Sequence, residues 1–246
     1  MARTFVAASN QSLSVSSTPV TAYPFTMAIW FFITSTGAAA NQNFFTQNAT
    51  SPSNADTMGM AWDHTLNKVT LYVANSVAVS DAVNPGSTLS ANTWYPIVWS
   101  CTSATSRTGY IMQGGTLNSA SSSVSMVFGG TTNNINFGRY SNNAADFGGN
   151  LAEAALWNVA LTVQEVTAFC RGIRAWNIRP LSLVGYWPFD GLASPEPDLS
   201  GGKRSATLNN APTLGFGPPF ALFTPRVPSG GLYPLPLPLM GQIWLA

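Results

Sequence analysis

In Val69-Thr70-Leu71-Tyr72-Val73 an aliphatic side chain falls on every second residue. Strand side chains point alternately to opposite faces, so Val69, Leu71 and Val73 are expected to share a core face. Comparable short segments, rich in β-branched and aromatic residues, recur through residues 1–150 between clusters of Gly, Pro, Asn and Ser. That spacing is typical of sandwiches and barrels. It predicts strands at residues 4–7, 12–15, 25–34, 43–47, 57–63, 68–73, 94–102, 108–113 and 135–139. Residues 151–157 and 181–189 read as further strands, and 198–209 as a loop leading into a short one. Within 151–157, simple alternation puts Leu151, Glu153, Ala155 and Trp157 on one face and Ala152, Ala154 and Leu156 on the other.

One segment has a different period. Thr162 and Glu165 form a capping box, in which the hydroxyl and the carboxylate each take up an orphan backbone N–H. Behind it Val166, Phe169 and Cys170, spaced by three and four, make one apolar stripe, and Gly172 is placed to end a short helix. A lone helix in a β chain is expected to cover an open end of the sandwich.

From residue 215 the character changes. Pro218, Pro219, Pro225, Pro228, Pro234, Pro236 and Pro238 are interleaved with Phe220, Leu222, Phe223, Leu232, Tyr233, Leu235, Leu237, Leu239, Ile243 and Trp244. Repeated prolines exclude a helix or a central strand and leave an extended, polyproline-like arm. Its apolar content requires a surface to rest on. The expected division is a sandwich over 1–214 and an arm over 215–246.

Composition narrows the function classes. Hydrophobic residues make up 46% of the 246 and charged residues 8%, where an average soluble protein has about 25% charged. Ser, Thr, Asn and Gly must therefore fill the surface, as in residues 119–125 and 131–134. A net charge of +1 leaves no field to gather phosphates, which argues against nucleic acid. The longest apolar stretch, residues 25–33, is well short of the roughly 20 needed to cross a bilayer. The sequence after Met1 runs straight into strand-like residues without a secretory apolar core, so the expectation is either no Sec export or a signal already removed, the retained Met1 favouring the first. Cys101 and Cys170 read as buried thiols, with a single bridge between them left open.

Residues 147–166, FGGNLAEAALWNVALTVQEV, resemble in order and spacing the late hairpin and helix of laminin-G-like, concanavalin-A-like jelly rolls. Residues 5–15, 25–32, 92–95, 107–115, 135–139, 183–190 and 198–201 agree with that likeness, which covers roughly 3–214. The resemblance implies an all-β, two-sheet antiparallel jelly-roll sandwich with one short helix, and a structural hydrogen-bonding role for Glu153. Some relatives are glycosidases, which set two carboxylates about 5–9 Å apart. The chain has no Glu-x-Glu pair, and Asp56 with Asp63, or Glu196 with Asp198, lack that context. A single His64 in a turn and the lack of a Gly-x-Ser-x-Gly elbow leave a serine triad no better supported. No catalytic residue is expected. Many relatives hold calcium at a loop edge; here only Asp63, Asp146 and Asp190 stand beside suitable turns, without the dense spacing of a dedicated site. No other cofactor is expected.

Glycan recognition uses exposed aromatic platforms. Trp30, Trp94, Trp99, Trp157 and Trp187 fall in strands and read as core, whereas Trp62 and Tyr140 border loops and are the candidate platforms. The sequence-level expectation is therefore a non-catalytic virion structural protein, a bacteriophage capsid decoration protein at the virion surface. It would dock through its arm onto the major capsid protein or onto copies of itself as a homo-oligomer. The alternative is a lectin-like carbohydrate-binding module of a fibre or surface protein that recognises host surface glycans.

Overall fold

A computed structural model describes residues 1–49, 57–75, 78–125, 132–140, 145–191 and 194–219. The arm contacts expected at Phe220, Leu222, Phe223, Leu232, Tyr233, Leu235, Leu237, Leu239, Ile243 and Trp244 lie outside the described residues.

In chain order the strands are β1 (Ala2–Phe5), β2 (Ser12–Val15), β3 (Phe25–Ile33), β4 (Gln42–Ala49), β5 (Thr57–Asp63), β6 (Lys68–Asn75) and β7 (Ala78–Val83). They continue as β8 (Thr93–Ser103), β9 (Ser106–Gln113), β10 (Thr116–Ser122), β11 (Thr132–Phe137), β12 (Gly149–Trp157), β13 (Leu183–Trp187), β14 (Thr207–Asn209) and β15 (Thr213–Gly215). The first sheet runs β10-β9-β8-β3-β12-β1-β15, with β13 also paired to β12; the second runs β14-β2-β11-β4-β5-β6-β7. The sheets close over a core that includes Phe31 stacked on Phe44 at 4.1 Å and Val69, Leu71 and Val73 on one face, as their alternation predicts. This is the expected all-β two-sheet jelly-roll sandwich.

Three strands carry no strong pattern. The Ser-rich β10 has Thr116 as its one β-branched residue, yet it pairs with β9 over its whole length. The turn explains it: Gly114 and Gly115 have φ of +56° and +81°, the two left-handed positions of a tight hairpin. β7 and β15 are likewise edge strands held by their neighbours. Three expected boundaries also move. Residues 7–9 form a 3-10 turn after β1, and a 3-10 turn at Pro180–Ser182 shortens the strand expected at 181–189 to β13. The sandwich continues past Leu214, because β15 runs to Gly215 and the Phe216 ring meets Phe32 edge-on at 4.7 Å.

The single-face reading of 151–157 is corrected by a β-bulge. Ala152 pairs with Trp30 and Ala155 with Ala28, so three residues of β12 span two of β3. Glu153 takes up the extra position at φ +55°. Leu151, Ala154 and Leu156 thus enter the inter-sheet core, while Ala152, Ala155 and Trp157 point to the outer side of the first sheet.

Helix α1 (Val163–Cys170) begins with the predicted capping box and ends with Gly172 N–H donating to Phe169 O and Ile173 N–H to Ala168 O. Its position differs from the end-cover expectation. Val166, Phe169 and Cys170 lie on the outer face of the first sheet with Ala28, Trp30, Val98 and Trp157. The bulge provides the reason, since it turns Ala155 and Trp157 outward and makes an apolar bed that only a helix stripe can cover. Cys101 is in the inter-sheet core and Cys170 under the helix, so the two free thiols occupy different layers.

Candidate functional site

The second sheet's outer face carries no helix among the described residues. In β11, Ile135 and Phe137 are fully buried in the core, so Asn134 and Asn136 face outward. Across the neighbouring strands Asn136 stands opposite Ser14 and Thr46, and Asn134 opposite Asn48. Ser12 and Ser14 alternate with Leu13 and Val15 by the same rule, and Asn209 pairs with Ser12 from β14. These residues form the floor of a cleft of about 360 Å³ comprising Ser12, Ser14, Asn134, Asn136 and Asn209, with Arg139 and Tyr140 beside it.

The floor is only partly satisfied within the protein. Asn209 Nδ2 donates to Ser14 Oγ at 3.1 Å and to Ser12 Oγ at 3.3 Å. Asn134 Oδ1 and Asn136 Nδ2 of the floor, and beyond it Thr46 Oγ1 and both amide atoms of the fully buried Asn48, have no hydrogen-bond partner among the described residues. Leaving such a group unpaired costs about 1–3 kcal/mol, so a row of them on one face calls for an explanation. Each amide offers both a donor and an acceptor, which is the complement of a hydroxyl.

Tyr140 stands where this polar floor meets a small apolar patch of Ala61, Tyr72 and Ala74. Its hydroxyl donates to Thr57 Oγ1 at 3.2 Å, and its ring centroid is 6.3 Å from that of Tyr72. Tyr72 in turn lies across Gly59, where a Cβ would fall 2.4 Å from the ring, and donates to Asn43 Oδ1 at 2.6 Å. Burial raises the pKa of both phenols, for Tyr140 against the opposing effect of Thr57. Arg139 Nε pairs with Asp146 Oδ1 at 2.8 Å. Burial pushes the Asp146 carboxyl above its usual range and Arg139 pulls it back down, with burial prevailing.

The other sequence candidates disperse. Trp62 presents no face to a ligand: it is wholly buried between the sheets with Met58 and Met60, and its Nε1 donates to Asn67 Oδ1 at 3.0 Å. Its place near the end of β5 suggested a rim, but the alternation of β5 turns it inward. Asp63 accepts from the backbone N–H groups of Thr65 and Leu66, closing the turn that holds the exposed His64. Asp146 is engaged by Arg139, and Asp190 lies where its charge disfavours ionisation of Glu153 and Glu196. Among the described residues no three His, Cys, Asp or Glu side chains gather, so Asp63, Asp146 and Asp190 do not come together as one site. Glu153 is buried at the bulge, accepts from the Tyr186 hydroxyl and lies 3.6 Å from Arg174. Burial raises its pKa against both partners, and it supports the fold rather than the cleft.

Sequence reasoning passed over Ser12, Ser14, Asn134, Asn136, Arg139 and Asn209. A signal was present in the polar residues alternating with Leu13, Val15, Ile135 and Phe137, but nothing in one sequence told which strands would be neighbours.

The fold and the cleft together define a two-sheet jelly roll with a polar groove on the outer side of the second sheet. The chain belongs to the concanavalin A-like lectin/glucanases superfamily, whose family model matches residues 7–167. No curated protein matches it. Among solved structures it is similar to a protein of Bacteroides ovatus ATCC 8483 assigned as carbohydrate binding, at 18% identity and TM-score 0.57 over 87% of this chain and 61% of that one. It is also similar to tailspike protein 2 of the Escherichia coli O157:H7 bacteriophage CAB120, at 18% identity and TM-score 0.57 over 76% of this chain and 26% of the tailspike. A third is the Ruminococcus gnavus IT-sialidase CBM40 bound to α2,6-sialyllactose, at 12% identity and TM-score 0.52 over 69% of this chain and 97% of that one. The chain thus spans about three fifths of the Bacteroides protein and a quarter of the tailspike. At these identities the likeness is one of fold.

Proposed function

We propose that this chain is a non-catalytic, lectin-like carbohydrate-binding module whose binding face is the outer side of the second sheet. The observation that carries the reading is the pair of amides of Asn134 and Asn136, each with an atom that has no partner among the described residues, lining a cleft that the Tyr140 ring also borders. Saccharides are recognised by groups that exchange hydrogen bonds with hydroxyls and by an aromatic ring against which an apolar sugar face can lie. The cleft offers both. None of the described residues lining the cleft is a carboxylate, so the carboxylate pair of a glycosidase is not assembled among them. The carbohydrate-binding assignment of the Bacteroides relative supports the same reading.

Screening the full chain on a saccharide array, followed by calorimetry, tests it. Tyr140→Ala should weaken the affinity for any saccharide found by about tenfold or more, in the range a well-placed aromatic contributes, while the protein still unfolds cooperatively. Absence of binding to every saccharide, or binding that Tyr140→Ala leaves unchanged, would remove the assignment to this face.

A further inference from the structure

Arginine in a saccharide cleft ordinarily acts as a clamp for anions, because its planar fork matches a carboxylate or sulfate with two parallel hydrogen bonds. Here Arg139 borders the cleft, yet its Nε already faces Asp146 at 2.8 Å, and the two side chains are 16% and 17% exposed. The other described lining residues, Ser12, Ser14, Asn134, Asn136, Asn209 and Tyr140, are uncharged. Beyond it, a net charge of +1 gives the protein no long-range field to draw in an acidic ligand.

We propose that the cleft takes uncharged saccharides, and that Asp146 determines this specificity by cancelling the charge of Arg139. The proposal rests on reading the cleft as a saccharide site. The amides of Asn134 and Asn136 leave strand β11 on the same side two residues apart, or about 7 Å along the strand. Each carries a donor and an acceptor, so the pair can satisfy hydroxyls in either sense and places no net charge opposite a carboxylate, sulfate or phosphate. An acidic sugar brought to Arg139 would meet the Asp146 carboxylate on the same guanidinium, and that like-charge encounter rejects it. A neutral sugar meets no such repulsion and gains the amide hydrogen bonds.

The test is an array of neutral galacto-, gluco- and manno-oligosaccharides printed beside sialylated and sulfated forms of the same chains, with affinities by calorimetry. The wild type should bind a neutral chain more tightly than its acidic form. Asp146→Asn, which keeps the shape and removes the opposing carboxylate charge, should raise affinity for the acidic form by about tenfold and make it salt-sensitive. Arg139→Gln, which leaves Asp146 in place, should move the preference the other way, so each variant checks the other should one fold poorly. A wild type that prefers the acidic form overturns the proposal, as does an acidic-to-neutral ratio unchanged in both variants. Those results leave saccharide binding itself standing. Binding to no saccharide at all overturns the function on which the proposal rests, and the two failures are therefore distinct.

Discussion

On the first sheet the residues that point away from the core include Ala28, Trp30, Val98, Ala155 and Trp157; on the second they include Ser14, Thr46, Asn48, Asn134 and Asn136. Both sets arise from the same two-residue alternation above one shared core. The first set is apolar, and the chain lays Val166, Phe169 and Cys170 of α1 over it. The second is polar, and several of its atoms have no partner among the described residues. Apolar area removed from water stabilises by about 25 cal/mol per Å², whereas unpaired buried amides subtract from stability. Stability is drawn from one face and the proposed binding falls on the other, a division expected where function draws on stability.

The largest effect should come from uncovering the stable face. Phe169 is almost fully buried, edge-on to Trp157 at 6.1 Å and 6.5 Å from Trp30. Phe169→Ala should destabilise the protein by about 3–5 kcal/mol, combining lost burial with an unfilled cavity. The denaturant midpoint reports the loss, and the saccharide affinity of the folded fraction should be unaltered. A loss below about 1 kcal/mol would mean that the helix rests only loosely on the sheet and that the two faces differ less than their chemistry suggests.

A smaller effect belongs to the bulge beneath that face. Tyr186 is wholly buried and donates to Glu153, whose carboxyl burial has already raised. Tyr186→Phe should cost about 1–3 kcal/mol at neutral pH by removing a hydrogen bond from a buried charge. The sign with pH follows from Glu153 itself. Its folded pKa lies above the unfolded one, so its ionisation takes stability away as pH rises through the folded value, and the Tyr186 hydroxyl offsets part of that loss. The difference between wild type and variant should therefore shrink on acidification, as Glu153 becomes protonated. A difference that is flat with pH would show that Tyr186 acts through packing alone.

Much of the fold is legible because its signals are local. The alternation of β6 and the Thr162–Glu165 capping box are each complete within a few residues, and so is the family phrase at 147–166. The bulge is not, since nothing in LAEAALW says that Glu153 will take a left-handed backbone; that follows from pairing with β3 and β13. The cleft was harder still. Asn134, Ser14 and Asn209 come from three strands far apart in sequence, and their meeting depends on the sheet order β14-β2-β11. Tyr140 was within reach because an aromatic beside a loop is a local feature. Trp62 met the same rule, and the inward phase of β5 buries it.

The smallest effect has the opposite sign and tests the open face directly. Asn136 stands between Ser14 and Thr46 on a strand whose inward residues are already fixed in the core, and its Nδ2 is buried without a partner among the described residues. Valine suits that pleated position and removes the unsatisfied donor, so Asn136→Val should leave stability unchanged or raise it by up to about 1 kcal/mol. Saccharide affinity should fall in the same variant. A gain in stability joined to a loss of binding is the pattern of a residue kept for its ligand, whereas a core residue such as Phe169 can only lose stability. If Asn136→Val instead destabilises by more than about 1 kcal/mol, the amide is meeting a structural need of the sheet. The polar row would then belong to the fold, and the contrast between the two faces would reduce to the presence or absence of a helix.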